Sequence, residues 1–190
     1  MPKVYVIWDN SNIHYSGLNQ VFPIREPGET KELYRTNFLN LLQLVANGRE
    51  IGQVYFVGST PPQSDSIWGY LRNNGINPQT IPRAQDGEWE TTDHLLQNHL
   101  LRLGYQPNPE IVALLTGDGA DINKDEGFFA DLKRLAGRGW RAEVYSWEAS
   151  CHKGLKEYAV TVGQYIKLED FYYSITFIAG KRRSLPVPVR

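Results

Sequence analysis

Asp9 and Asp118 each close a run of strand-forming residues. Val4-Tyr5-Val6-Ile7-Trp8 leads into Asp9-Asn10-Ser11-Asn12, and Ile111-Val112-Ala113-Leu114-Leu115 leads into Thr116-Gly117-Asp118-Gly119. In open α/β sheets ligands bind beyond the carboxyl ends of the strands, so these two carboxylates are candidates for one site. Asp93 is a third: Leu96 and Leu100 follow it at i+3 and i+7, so it shares the face that its helix turns toward the sheet. An acid at a helix start, satisfying free amides and the macrodipole, is the ordinary alternative for Asp93. Asp121 is a fourth, three residues past Asp118, with Gly119 and Ala120 leaving room for a ligand between them.

Converging acids create a problem that chemistry must solve. Two carboxylates ~4 Å apart repel by about 4 kcal/mol at an effective dielectric of about 20, and each raises the other's pKa unless a cation enters. With oxygen donors, a single cysteine and no histidine pair at ligand spacing, the cation expected is Mg²⁺ or Mn²⁺. Asp121-Ile122-Asn123-Lys124-Asp125 imitates the start of a calcium-binding loop, but Glu126 stands where glycine is needed and Leu132 where the bidentate glutamate is needed.

The elements that must position these acids read as a βα alternation. Strands are expected at 4–8, 53–57, 111–115 and 142–147, and a fifth near 76–81. Tyr34, Phe38, Leu41, Leu42 and Val45 fall at helical spacing, and Gly48 follows where a left-handed residue ends a helix. Phe128, Leu132, Leu135 and Ala136 mark another helix, Leu96, Leu100 and Leu103 a third, and 64–74 a fourth. Strands apolar on both faces and separated by such helices predict a Rossmann-like α/β fold, a mainly parallel sheet covered on both sides. The connection from Gly17 to Glu29 is long for this class and reads as a loop that folds over the site or as a plain insertion.

The chain has 190 residues, enough for one substantial core, and is read as one domain over 1–179 with a basic, proline-containing tail over 180–190, extended or disordered. No apolar run approaches the roughly 18–20 residues that span a bilayer, and no signal sequence stands at the N-terminus, so no membrane is expected and the chain reads as cytoplasmic. The lone Cys151 excludes an internal disulfide. The net charge of −1 gives little long-range pull on nucleic acid, so such a partner needs a local patch. Bases do bunch at Lys133, Arg134, Arg138, Arg141, Lys153 and Lys156, and again at Lys181-Arg182-Arg183, although solvated helix faces give the same pattern.

Asp9-Asn10-Ser11-Asn12 after the first strand, Asp93 on a helix, and Thr116-Gly117-Asp118 after a later strand together resemble the NYN domain family, a branch of the PIN-like nucleases. The helix from Phe128 to Ala136, then Gly139-Trp140-Arg141-Ala142-Glu143-Val144, then Ser150 with Leu155 and Ala159, extend the likeness over roughly residues 3–170. The resemblance implies a three-layer PIN-like sheet and Mg²⁺- or Mn²⁺-dependent cleavage of RNA. By position, Asp9, Asp93 and Asp118 would be metal ligands, Asn12 would orient the first aspartate or a bound water, and Thr116 would support the turn. Where the family places Asp, a small residue, Asp and an aromatic in succession, this chain has Asp118-Gly119-Ala120-Asp121-Ile122, and Glu90-Thr91-Thr92 replaces the usual residues before the third acid.

The expected chemistry is phosphodiester hydrolysis of single-stranded or structured RNA, with Asp121 orienting the attacking water and Lys124 or Lys153 contacting phosphate. Ser150 is a candidate phosphate binder at a helix start or an ordinary N-cap. Trp89 is considered for stacking on an unpaired base and His14 for protonating the leaving group, each against a plain structural role. A non-catalytic module that binds RNA or a protein is the alternative, motivated by Gly119-Ala120, and a homodimer is left open. A nucleotide-binding protein is disfavoured because neither a Gly-x-Gly-x-x-Gly motif nor a Gly-Lys-Ser/Thr loop occurs. A phosphotransferase is disfavoured because Ser11, not an acid, stands two past Asp9.

Overall fold

The computed structural model describes residues 2–60, 66–82, 88–119 and 126–188. In chain order the elements are β1 (Val4–Asp9), α1 (Asn10–Ser16), a π-helical turn Gly17–Val21, α2 (Phe22–Arg25), β2 (Tyr34–Thr36), α3 (Phe38–Ala46), β3 (Ile51–Thr60), α4 (Ser66–Asn73), β4 (Gln79–Pro82), α5 (Glu88–Leu103), β5 (Ile111–Leu115), α6 (Gly127–Ala136), β6 (Arg141–Ser146), α7 (Lys153–Val162), β7 (Gly163–Lys167), α8 (Tyr172–Ile175) and β8 (Thr176–Ile178). Among the described residues, six strands form a parallel sheet in the order β4-β3-β1-β5-β6-β7, and β2 and β8 form a separate antiparallel pair.

The alternation of side chains along β1 divides the core in two. Val4, Val6 and Trp8 point into a layer with α3, α4 and α8, where Phe38, Leu41, Trp68, Leu71 and Ile175 are buried. Ile7 points to the other layer, where Leu96, Leu100 and Leu103 of α5, Phe128 and Leu132 of α6 and Leu155 of α7 are buried. Both β1 and β5 are covered on two sides, the condition that makes their sequences read as unbroken apolar runs. Successive strands add outward from β1 to β3 and β4, after which the chain returns to the other flank of β1 with β5, β6 and β7. The reversal lies between β1 and β5, so the crevice at their carboxyl ends is the topological switch point.

Several boundaries differ from those the sequence predicts. Tyr34 lies in β2, paired with Ile178, and the helix starts only at Phe38 because the Asn37 side chain accepts from the Asn40 amide (3.1 Å). Asn47 and Gly48 both take left-handed conformations at its end, with φ of 45° and 75°. The connection from Gly17 is helical through Arg25 and is anchored to the core by Gly17, Val21 and Phe22, while Asn19, Gln20 and residues 23–25 stay exposed. Strand β7 is an additional edge strand, half-exposed and lacking an apolar run. The segment after Ala179 is extended and tied down: Arg182 donates to Glu26 Oε1 and to Thr176 Oγ1 (both 2.9 Å), the Leu185 amide donates to the Tyr173 carbonyl (2.8 Å), and Ser174 Oγ donates to the Pro186 carbonyl (2.9 Å).

Candidate active site at the switch point

Odd-numbered residues of β1 face α5, and Asp9 continues that parity beyond Ile7. In β5 the even-numbered Val112 and Leu114 face the same layer, and Thr116 continues it. The result is a direct contact across the switch point: Thr116 Oγ1 donates to Asp9 Oδ2 (3.2 Å) while the Asn12 amide donates to Asp9 Oδ1 (2.9 Å). Asp9 is thus also the N-cap of α1. The Asn12 side chain bridges in return, its Oδ1 accepting from the Gly117 amide at 2.7 Å. The Asp118 amide donates to Thr116 Oγ1 (3.2 Å), so one hydroxyl links the first acid to the turn that carries the second.

A carboxylate serving only as a cap is held low by the amide it accepts. Asp9 behaves otherwise. Only 4% of its surface is exposed, and burial, opposed by the Asn12, Thr116 and Ser11 donors and reinforced by the charge of Asp118, pushes it from 3.8 to about 6. Asp93 is pushed from 3.8 to about 7 by burial first, then by Asp9 and Asp118. Asp9 and Asp93, from distant parts of the chain, thus both feel the charge of Asp118 at one crevice. The helix carrying Asp93 begins at Glu88, so Asp93 stands in its second turn rather than at its start, and the capping alternative loses its geometry. Leu96, Leu100 and Leu103 are fully buried and turn the Asp93 face to the sheet.

Among the described residues, no three His, Cys, Asp or Glu side chains are gathered closely enough to hold a metal ion by themselves. The donor set still suits Mg²⁺ or Mn²⁺ in kind, since Mg²⁺ keeps several waters and needs only one or two carboxylates. The neighbours that hold Asp9 are neutral donors, and the mutual repulsion of the acids is the charge imbalance that a divalent ion relieves. Asp121 and Lys124, along with the side chain of Trp89, lie outside the described residues.

The remaining expected residues fall differently. Ser150 does not start α7; its hydroxyl donates to the Trp147 carbonyl at 3.5 Å within the preceding turn. Lys153 is the first residue of α7, 86% exposed and 3.6 Å from Glu157 one turn on. His14 is not placed to protonate a leaving group: its Nδ1 meets Thr36 Oγ1 (3.1 Å), its ring lies against Tyr15 and Tyr34, and burial followed by the Arg35 charge lowers it from 6.5 to about 4. Two features went unrecognised in the sequence. Gly117 has no room for a side chain, because a Cβ there would lie 2.8 Å from Ser146 Oγ, 3.2 Å from the Ser150 carbonyl and 3.3 Å from Asn12 Oδ1. His152 is the N-cap of α7 and its ring lies on Gly119, one residue from Asp118. The signal was available, since β5 and β6 are neighbours and the turns after them must meet, leaving bare glycines in one opposite a side chain in the other.

Among the described residues, no helix is long and apolar enough to cross a membrane. The chain resembles, at a TM-score of 0.61, the crystal structure of a protein of unknown function from Vibrio parahaemolyticus, with 16% identity and coverage of 89% of this chain and 94% of that one. At that identity the likeness concerns the fold. No curated protein matches the sequence. The family model of the NYN domain matches residues 3–165, a span that includes both acid-bearing strands, α5 and the whole crevice between them. The chain belongs to the NYN domain family.

Proposed function

We propose that the protein is a divalent-metal-dependent ribonuclease that hydrolyses RNA phosphodiester bonds at the switch-point crevice. The observation that carries this reading is the gathering of acids at one crevice: burial first, and then the charge of neighbouring acids, raises Asp9 to about 6 and Asp93 to about 7, and neutral donors hold Asp9. Asp9, Asp93 and Asp118 would hold Mg²⁺ or Mn²⁺, one or two of them directly and the rest through the ion's retained waters, and the ion, when bound, would supply an acidified water and charge neutralisation at phosphate. The chain's own groups prepare the site. The Asn12 amide and Thr116 hydroxyl fix both oxygens of Asp9, and the Asn12 side chain locks the Gly117 turn that presents Asp118. Asp121 is assigned to orienting water, and Lys153 to a phosphate of the strand. Ser150, whose hydroxyl serves the Trp147 turn, is retained only as a neighbour of that strand.

A non-catalytic RNA-binding module is the second reading, favoured by the spacing of the acids, which among the described residues do not close on one point. Incubation of fluorescent single-stranded RNA with Mg²⁺ or Mn²⁺ separates the two. Cleavage that disappears with EDTA and in Asp9→Asn and Asp118→Asn, both folded, supports the nuclease; RNA that is bound and never cut supports the module. Calorimetric titration of Mn²⁺ into wild type and Asp118→Ala tests the ligand set, and equal binding by both removes Asp118 from it.

A further inference from the structure

The turn after β6 supplies a group that the acid site does not use. His152 is anchored at two points: its amide donates to the Gly117 carbonyl (2.9 Å), and its Nδ1 accepts from the Gly154 amide (3.2 Å). Its ring covers Gly119, where an added Cβ would lie 2.6 Å from Cγ and 2.8 Å from Nδ1. The imidazole is thus fixed on the turn that presents Asp118, yet the residue is exposed. With the Nδ1 lone pair engaged by an amide, the neutral ring carries its proton on Nε2. Nε2 lies on the edge of the ring away from Gly119, and among the described residues no protein group accepts from it.

A fixed N–H donor beside a cluster of acids is unsuited to binding a cation and suited to an anionic oxygen. We infer that His152 is a substrate-contacting residue whose Nε2–H donates to a non-bridging phosphate oxygen of the RNA strand lying across the crevice, a role that rests on the proposed ribonuclease reading. Lys153 follows directly in sequence as the first residue of α7, 86% exposed and 3.6 Å from Glu157. The histidine gives direction where the lysine gives only attraction, because its ring is held by Gly154, Gly117 and Gly119 before any ligand arrives.

Two substitutions separate this role from capping. In His152→Asn the side-chain oxygen can still accept from the Gly154 amide, but the Nε2 donor is lost; in His152→Gln a terminal amide reaches toward the Nε2 position while the cap is lost. Binding of a fluorescein-labelled single-stranded RNA is read by anisotropy in EDTA, cleavage in Mn²⁺, and folding by thermal melting. His152→Asn is expected to melt with wild type and to bind RNA about tenfold more weakly, whereas His152→Gln melts lower and binds within about threefold of wild type. Wild-type RNA affinity in His152→Asn overturns the inference. If wild type binds but never cuts while His152→Asn binds more weakly, the nuclease reading falls and the phosphate contact stands. If wild type cuts and His152→Asn binds and cuts equally well, the nuclease stands and the contact falls. Wild type that neither binds nor cuts overturns both.

Discussion

Asp9→Asn is expected to stabilise the metal-free protein, against the usual outcome of altering a buried polar residue. The Asp9 carboxyl rises from 3.8 to about 6 on folding, because burial and the Asp118 charge outweigh its donors. The folded state therefore binds the proton more tightly than the unfolded chain, and stability falls as pH climbs from about 4 to about 6, the loss being complete above the folded value. At about 1.36 kcal/mol per pKa unit, an ionised Asp9 weighs roughly 3 kcal/mol against folding at pH 7.5, and about 1 kcal/mol at pH 4.5. Asparagine carries no charge to bury; its oxygen can still accept from the Asn12 amide, and the Thr116 contact can persist with its direction reversed, the asparagine nitrogen donating to Thr116 Oγ1. It also removes one of the two charges that push Asp93 upward. For a chain of this size, a gain of about 3 kcal/mol raises Tm by roughly 6–12 °C. Urea and thermal unfolding in EDTA at pH 4.5 and 7.5 measure it. A variant no more stable than wild type at pH 7.5, or a gain that does not grow between the two pH values, refutes the reasoning. Mn²⁺ should reverse the order, because only wild type gains the stabilisation of a bound ion, about 2.7 kcal/mol at a hundredfold excess over Kd.

Two further perturbations probe the scaffold that carries that site. Arg49 holds the fully buried Glu143 through two hydrogen bonds of 2.7 and 2.8 Å, and Gln164 and Tyr145 complete the set; these outweigh burial and keep Glu143 below its ordinary value. Arg49→Met should cost about 3–5 kcal/mol by chemical denaturation at pH 7, most of it recovered by adding Glu143→Gln. Gly117→Ala forces a Cβ against Ser146 Oγ and Asn12 Oδ1; it should cost about 1–3 kcal/mol and weaken Mn²⁺ binding, which a melt and a titration read separately.

The sequence exposes what burial on two faces dictates. β1 and β5 are legible because both layers cover them, and α5 because Leu96, Leu100 and Leu103 face the sheet. Thr116 and Asn12 were legible as neighbours of the acids, since strand-end turns in a parallel sheet meet on one side. Tyr34 misled because its spacing from Phe38 is helical while the Asn37 cap, a local polar contact, stops the helix. Asp93 reads as a helix start because Glu88-Trp89-Glu90-Thr91-Thr92 carries no apolar rhythm to mark the earlier turn. Strand β7 escaped because an edge strand, half-exposed, needs no alternation strong enough to see. Arg49 with Glu143, and His152 with Gly119, are encounters between segments far apart in sequence, which periodicity along one chain does not encode.

The middle position of β1 also shapes how the chain must be made. Its partner on one flank, β5, begins at Ile111, 107 residues behind Val4, so β1 leaves the ribosome well before that partner is made. At about 5–20 residues per second, that flank stays open for roughly 5 to 20 s of synthesis. During this interval Val4, Val6 and Trp8 sit on a strand with an unsatisfied edge, the arrangement most prone to joining a neighbouring chain. Slowing translation between residues 60 and 110, or shielding the nascent strand with a chaperone, therefore sets the yield of this protein in opposite directions.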